Sequence, residues 1–387
     1  MAIIYIKYGE LTLKGKNKMS FINCLFKNIK KSLVDFSDIV CEKHYDSTTI
    51  SGYDESQQEE IVNVLKRVPG ISLILIGYIS DRKIDVLAEN IIQKLNDYNE
   101  PTTFKFETKR QDKAFELNSM QISEQLGGYV LRAKPNFAVD VHKPKIKITV
   151  EIRRDDAIYY LRRIKGLGGF PVGINGRILV LISGGIDSPV ASHLIIKKGF
   201  HVDYLTFITP PHTNIGALEK VRTLIKKVTL DGKIEKPKLY ICEFTNLQHE
   251  LAHISNKSYQ ITLMRRYFFR IARDLAIKNK YDAIATGESS GQVASQTVES
   301  MSAIQDAIGG FLVMRPLLAY DKNEIIDIAR TIDTYETSII PFEDCCSLFV
   351  PQNPATKPTI RTAIKLESEL EFADGVYKQI FDKIKSE

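Results

Sequence analysis

The 387-residue chain has no run of 18 or more apolar residues, which excludes a membrane-spanning helix of ordinary length. Its first ten residues, MAIIYIKYGE, reach a lysine and a glutamate before a signal-type apolar core can form. Neither secretion nor membrane insertion is expected. Cysteine is scarce too. The five present (Cys24, Cys41, Cys242, Cys345, Cys346) form no C-x-x-C pair and no Cys/His cluster with zinc spacing, so neither a disulfide framework nor a structural metal is indicated. A reducing cytoplasm is the expected compartment. Internal repeats and low-complexity segments are also missing. With 44% hydrophobic residues and a net charge of only +6, the composition is that of an ordinary soluble chain of two or three domains.

The small positive charge is unevenly spread. Residues 1–170 hold 27 basic and 22 acidic side chains, and the remaining 217 hold 26 and 25. From Lys7 to Lys31 there are seven lysines and a single acid, Glu10; from Arg132 to Lys165 there are ten basic residues against four acids. Two such stretches suit a phosphate backbone. They also suit plain solvated lysines, and charge alone does not separate the two readings.

Periodicity divides the chain in two. In the first half, strands are expected at 2–8, 48–51, 71–79, 104–109 and 145–153, and helices at 20–34, 59–67, 85–95 and 119–132, giving two small α+β modules. The segment GLGGFPVGING, 166–176, carries five glycines and is either a linker or a set of tight backbone contacts. Beyond it, the strands ILVLI, HVDYLTF, KLYICEF and DAIATG alternate with helical stretches. Short strand and helix alternation signals an α/β domain with a parallel, doubly wound sheet.

The chemistry-bearing motif is Ser183-Gly184-Gly185-Ile186-Asp187-Ser188, at the junction of a buried strand and a helix. Two glycines let backbone approach a phosphate, the hydroxyls of Ser183 and Ser188 add donors, and the open helix N-terminus favours an anion. The bland alternative is an unoccupied glycine turn. A Walker loop is excluded because G-K-[ST] is absent. Here the sequence resembles the PP-loop ATP pyrophosphatases, whose S-G-G-x-D-S loop grips the pyrophosphate released on adenylation of a substrate.

Further motifs narrow the resemblance: YGELTLKGKNK at 8–18, RQDKAF at 110–115, VDVHKP at 139–144, MRR at 264–266, GESSGQVASQT at 287–297 and PFEDCCSLFVPQNPATKP at 341–358. Together they look like the tRNA 4-thiouridine synthetase (ThiI) family over nearly the whole chain. That resemblance implies a ferredoxin-like domain at 1–55, a THUMP domain at 56–165, a glycine-rich linker at 166–176 and a PP-loop domain at 177–387. It implies ATP-dependent conversion of uridine 8 of tRNA to 4-thiouridine. Carried over by motif, ATP is expected against Leu181, Ile182, Ser183, Gly184, Gly185, Ser188, Thr206, Phe207, Arg265, Gly287 and Gln296. Asp187 is expected either to hold Mg²⁺ or to cap the helix it precedes. For Arg265 and Gln296 the alternatives are a surface ion pair and a helix-surface amide.

By the same resemblance Cys346 carries a persulfide sulfur supplied by a cysteine desulfurase, and Cys345 occupies the variable position beside it. A bridge between such neighbours is strained. Cys24 and Cys242 are expected in the core. Backbone contacts to tRNA are expected from Lys14, Lys16, Lys143, Lys145, Arg153 and Arg154. One departure is Thr209-Pro210-Pro211-His212-Thr213-Asn214-Ile215, where the family commonly has S-P-P-[FY]-T-S-E. No second, rhodanese-type reactive cysteine follows, which weakens a role in thiamine biosynthesis. The oligomeric state is left open, a homodimer included. Two rival readings are an amidating PP-loop ligase of the GMP- or NAD-synthetase type, which has no use for Cys346, and a tRNA-binding scaffold without chemistry.

Overall fold

The computed structural model describes residues 2–96, 98, 100–211, 215–341, 351, 353–370 and 373–387. They form two compact units, residues 1–169 and 170–387.

The first unit runs β1 (Ala2–Lys7), α1 (Lys18–Ser32), β2 (Val40–Lys43), β3 (Ser47–Ser51), α2 (Gln58–Leu65), β4 (Leu73–Ser80), α3 (Ile84–Lys94), β5 (Thr102–Arg110), α4 (Ser119–Ala133), β6 (Phe137–Val139), β7 (Ile146–Ile152) and β8 (Ala157–Lys165). Its strands make one sheet in the order β2-β3-β1-β4-β8-β7-β5-β6. The two expected modules are thus stitched together: β4 pairs with β1 along one edge and with β8 along the other. Local chemistry sets the helices. Asn118 accepts from the backbone of Met120 and Gln121 while Gln121 reaches back to the Asn118 N–H, a capping box that starts α4. Ile122, Leu126 and Val130, one helical turn apart, then bury against β5 and β7. Gly166, just past β8, lies so close to Ile71 that a Cβ would stand 2.2 Å from its carbonyl oxygen. Close backbone packing, and not only flexibility, accounts for glycine there.

The second unit comprises β9 (Arg177–Leu181), α5 (Asp187–Lys197), β10 (His201–Ile208), α6 (Ile215–Val228), β11 (Leu239–Glu243), α7 (Thr245–Leu251), α8 (Gln260–Asn279), β12 (Ala283–Ala285), α9 (Val298–Asp306), β13 (Val313–Met314), α10 (Lys322–Thr331), α11 (Tyr335–Ser338), α12 (Ile360–Glu367), α13 (Ala373–Asp382) and β14 (Lys385–Ser386). Strand order is β13-β12-β9-β10-β11-β14, parallel except for β14. Ile178, Leu179 and Val180 are fully buried, as expected of a central parallel strand covered on both faces. Cys242 lies in this core and burial pushes its thiol pKa up, so it is inert. Cys24 is half-buried on α1.

At the N-terminal end of β10 the buried Asp203 collects Arg177 (3.0 Å), the Tyr281 hydroxyl (2.6 Å), the Lys238 backbone N–H (2.6 Å) and His201 (3.3 Å), while Glu235 takes the other ring nitrogen of His201. Hydrogen bonds to Asp203 and Glu235 raise the His201 pKa to about 9, against a reference near 6.5. A raised folded-state pKa stabilises fully below the unfolded value and is lost as pH rises through the folded one. Urea unfolding of wild type and His201→Gln should therefore differ most at pH 6, with the gap closing as pH passes about 9. A pH-independent gap would contradict a charged His201.

Candidate functional site

From β9 the chain adds β10 and β11 on one side, whereas β12 and β13 lie on the other. Reversals of this kind open a crevice beyond the strand C-termini, where ligands of open α/β sheets bind. A cavity of about 560 Å³ is found there. Leu181, Ile182, Ser183, Gly184, Asp187 and Ser188 line it from the end of β9 and the turn into α5. Thr206 and Phe207 line it from the end of β10, Arg265 from α8, Gly287 from beyond β12 and Gln296 from the turn before α9. Gly185 alone among the expected nucleotide residues is not part of its wall.

The turn after β9 is held by its own hydroxyls. The Ser183 N–H donates to Ser188 Oγ at 2.9 Å, and that hydroxyl donates back to the Ser183 carbonyl at 3.2 Å. Gly185 N–H points to Ser183 Oγ at 3.4 Å. Neither loop glycine has a positive φ, so their contribution is room for an approaching group and not an unusual backbone conformation. Ile186, at the N-cap of α5, makes no side-chain capping hydrogen bond among the described residues, which leaves the first N–H groups of the helix to an anion. Asp187 is the first helical residue, and its carboxylate accepts from Lys322 Nζ at 2.6 Å; the capping alternative is not what the structure has. Gly287 closes the arrangement: a Cβ there would meet the Ser188 backbone nitrogen at 2.8 Å and the Asp187 carbonyl carbon at 2.9 Å.

The far wall is apolar. Phe207 stacks on Phe268 with ring centroids 3.9 Å apart, and Phe244 stands edge-on to both. Gln296 also lines the cavity, and its Oε1 is buried with no hydrogen-bond partner among the described residues. A flat heterocycle bearing an amino group suits such a surface and such an acceptor. Among the described residues no group of three or more His, Cys, Asp or Glu side chains is arranged to hold a metal ion. A divalent cation at this site would be held by Asp187 and by ligand phosphates, the usual arrangement for Mg²⁺.

Four residues around the site escaped sequence reasoning. Glu288, deeply buried, accepts from Arg265 (2.6 Å) and from Arg315 (2.7 Å). Lys322 holds Asp187, and Lys220 lies against Gly184 while donating to the carbonyls of Ser338 (2.8 Å) and Ile340 (2.7 Å). Nothing in a single sequence sets these apart from other charged residues. Cys345 and Cys346 lie outside the described residues, as do 212–214 in the departing loop.

Residues 173–372 match the family described as Thiamine biosynthesis protein (ThiI), residues 3–74 the ThiI ferredoxin-like domain and residues 82–162 the THUMP domain. A probable tRNA sulfurtransferase of Ureaplasma parvum serovar 3 is 50% identical over 98% of this chain and 97% of its own length. The chain belongs to the ThiI family. A probable tRNA sulfurtransferase of Malacoplasma penetrans is 47% identical over 95% of this chain and 94% of its own. The solved structure of a 4-thiouridine synthetase–RNA complex with bound ATP superposes with a TM-score of 0.90 at 32% identity, covering 100% of this chain and 99% of that one.

In this ThiI-family chain the six basic candidates of the first unit do not gather in one place. β1, β4, β8 and β7 are successively antiparallel. The loop after β1, with Lys14 and Lys16, therefore leaves the same edge of the sheet at which Lys143 and Lys145 enter β7. Arg153 and Arg154 follow the opposite end of β7, about 20 Å away at the usual rise per residue. Arg153 is also engaged in two hydrogen bonds by Asp156, at 2.7 and 2.9 Å. Lys16, Lys143, Lys145 and Arg154 are exposed, whereas Lys14 is half-buried over the Phe21 ring.

The contact at Gly287 gives a direct test of the cavity. Gly287→Ala must push the first turn of α5 away, so it should weaken ATP binding by about tenfold or more in calorimetry while the protein still melts cooperatively. Unchanged affinity would show that the turn before α5 does not face the nucleotide.

Proposed function

We propose that the chain is an ATP-dependent tRNA sulfurtransferase that converts uridine 8 of tRNA to 4-thiouridine. What carries the reading is the convergence of sequence-distant residues, from the ends of three parallel strands and from α8, on one cavity at the reversal of strand order. The relatives' activity and the RNA and ATP in the related complex support it.

Oxide is a poor leaving group, so the uracil O4 must first be activated. O4 attacks the α-phosphorus of ATP, the bond from that phosphorus to the bridging oxygen breaks, and pyrophosphate departs with the electron pair while uracil N3 loses its proton. The 183–188 turn and the open N-terminus of α5 receive the charge growing on pyrophosphate, in the manner of an oxyanion hole. Mg²⁺, when bound, would supply charge neutralisation at the phosphates, and Asp187 would hold it. Lys322, which donates to Asp187, keeps a cation beside the turn.

The terminal sulfur of a persulfide on Cys346, delivered by a cysteine desulfurase, then attacks C4 and AMP leaves with the former O4. A second thiolate cleaves the remaining S–S bond, leaving sulfur on the base and a disulfide that an external thiol reduces. The chain on either side of Cys346 is fastened at the cavity. Lys220 holds Ser338 and Ile340 before it, and after it Pro354 lines the wall and the Ala355 N–H donates to Ser258 O at 2.9 Å. Five residues separate Ile340 from Cys346, a reach of at most about 20 Å over six residue steps. All of these residues lie in one chain, so the reading holds for a monomer and for a homodimer.

Cys346→Ser should abolish thiolation yet still form AMP and pyrophosphate in the presence of tRNA, whereas Cys345→Ser should complete at least one turnover from a persulfide donor. Following 4-thiouridine and AMP separately decides this, and normal thiolation by Cys346→Ser would require another sulfur carrier. The sheet-edge geometry gives a second test. Lys16→Glu combined with Lys145→Glu should weaken tRNA binding by about tenfold and flatten its salt dependence by about two counterions, while Arg154→Glu alone should change neither. Equal losses from the two sites would mean that RNA does not follow one edge.

A further inference from the structure

The wall bearing Arg265 has an organisation that the reaction sequence leaves unused. Glu288 is almost entirely inaccessible, at 1% exposure, and each carboxylate oxygen has its own cation: Oε1 accepts from Arg265 Nη2 at 2.6 Å, Oε2 from Arg315 Nε at 2.7 Å and from Thr286 Oγ1 at 2.9 Å. A buried carboxylate with one guanidinium would form a neutral pair. Here there are two guanidiniums for one carboxylate, so the group carries one net positive charge inside the protein. Arg315 is fixed in turn by Gln305 at 2.7 Å, and Arg265 by Ser295 Oγ at 3.1 Å.

Both Nη atoms of Arg265 are thus occupied, while its Nε–H has no acceptor among the described residues. Of the two arginines Arg265 is the one that lines the cavity, and Glu288, next in sequence to Gly287, ties it to the backbone that abuts the turn before α5. We propose that Glu288 is a positioning residue for adenylation, holding the Arg265 guanidinium in a fixed pose toward the nucleotide phosphates, and that Arg315 keeps Glu288 ionised so that the wall stays net cationic. Burial opposes the charge on Glu288, and the two arginines outweigh it, leaving its pKa below the ordinary glutamate range. A cation already fixed by charge-assisted hydrogen bonds needs little reorganisation when an anion arrives.

The inference rests on the cavity being the ATP site, and the test separates the two. Full-length wild type, Arg265→Met, Glu288→Gln and the double variant are titrated with ATP and with adenosine, and each is melted to confirm folding. Because the proposed role acts on phosphate through Arg265, Glu288→Gln should weaken ATP by about tenfold and leave adenosine within about twofold. In the Arg265→Met background the same substitution should change ATP affinity by less than about twofold, the non-additivity expected of residues acting in series. Should Glu288→Gln not fold, Arg315→Met carries the test, since it removes the net charge and predicts the same selective loss of ATP. Additive losses, equal losses for ATP and adenosine, or unchanged ATP affinity in a folded variant would each overturn the positioning role. A wild type that binds no ATP would overturn the nucleotide reading itself, and this proposal with it.

Discussion

The end of β12 meets the first turn of α5 so closely that a Cβ on Gly287 would stand within 3 Å of three backbone atoms of Asp187 and Ser188. The site depends on this contact. It brings two strands that are neighbours in the sheet but about a hundred residues apart in sequence to a common end, with the Ser183–Ser188 turn on one side and Glu288 on the other. The parallel register of β9 with β12, Ile178 opposite Ala283 and Val180 opposite Ala285, fixes where each loop emerges. A shift of one residue in either strand would carry its loop along by about 3.3 Å and separate the turn from Gly287.

Around that contact the charges are arranged for an anion. Lys322 stands on Asp187, the Lys220 side chain lies against Gly184, and the Arg265–Glu288–Arg315 group adds a further cation held by a buried carboxylate. None of these cations is left bare. Each is held by carboxylates or carbonyls, which limits the desolvation cost of keeping positive charge in a half-buried cleft. Phe207 and Phe268, stacked on each other, add an aromatic surface to the same cavity.

Much of this was legible in the sequence because the relevant signals are local. The strand before Ser183 reads as a short apolar run since both its faces are covered, and S-G-G-I-D-S marks the turn in six consecutive residues. In the first unit β5 and β7 are recognisable by alternation, but β8 is not: AIYYLRRIK passes from apolar to charged halfway along and has no single period. Missing that strand hides the single sheet, because β8 is what joins β4 to β7. The ion pairs of the site are invisible for another reason. Arg265, Glu288 and Arg315 span fifty residues, and nothing in their neighbours records which carboxylate faces which guanidinium. Whether Asp187 caps α5 turns on a single helical position, and it stands one residue inside the helix, past the cap at Ile186.

The central claim is that uridine O4 attacks ATP within the cavity at the β9–β12 reversal, and isotopic labelling of that oxygen tests it most directly. In tRNA carrying ¹⁸O at O4 of uridine 8, incubated with the protein, ATP, Mg²⁺ and a persulfide donor, the bond from C4 to that oxygen breaks only when AMP leaves. The label should appear in the phosphate of AMP, one atom for each 4-thiouridine formed. Label recovered in pyrophosphate or in water, or 4-thiouridine formed with unlabelled AMP, would contradict activation of the base by adenylation.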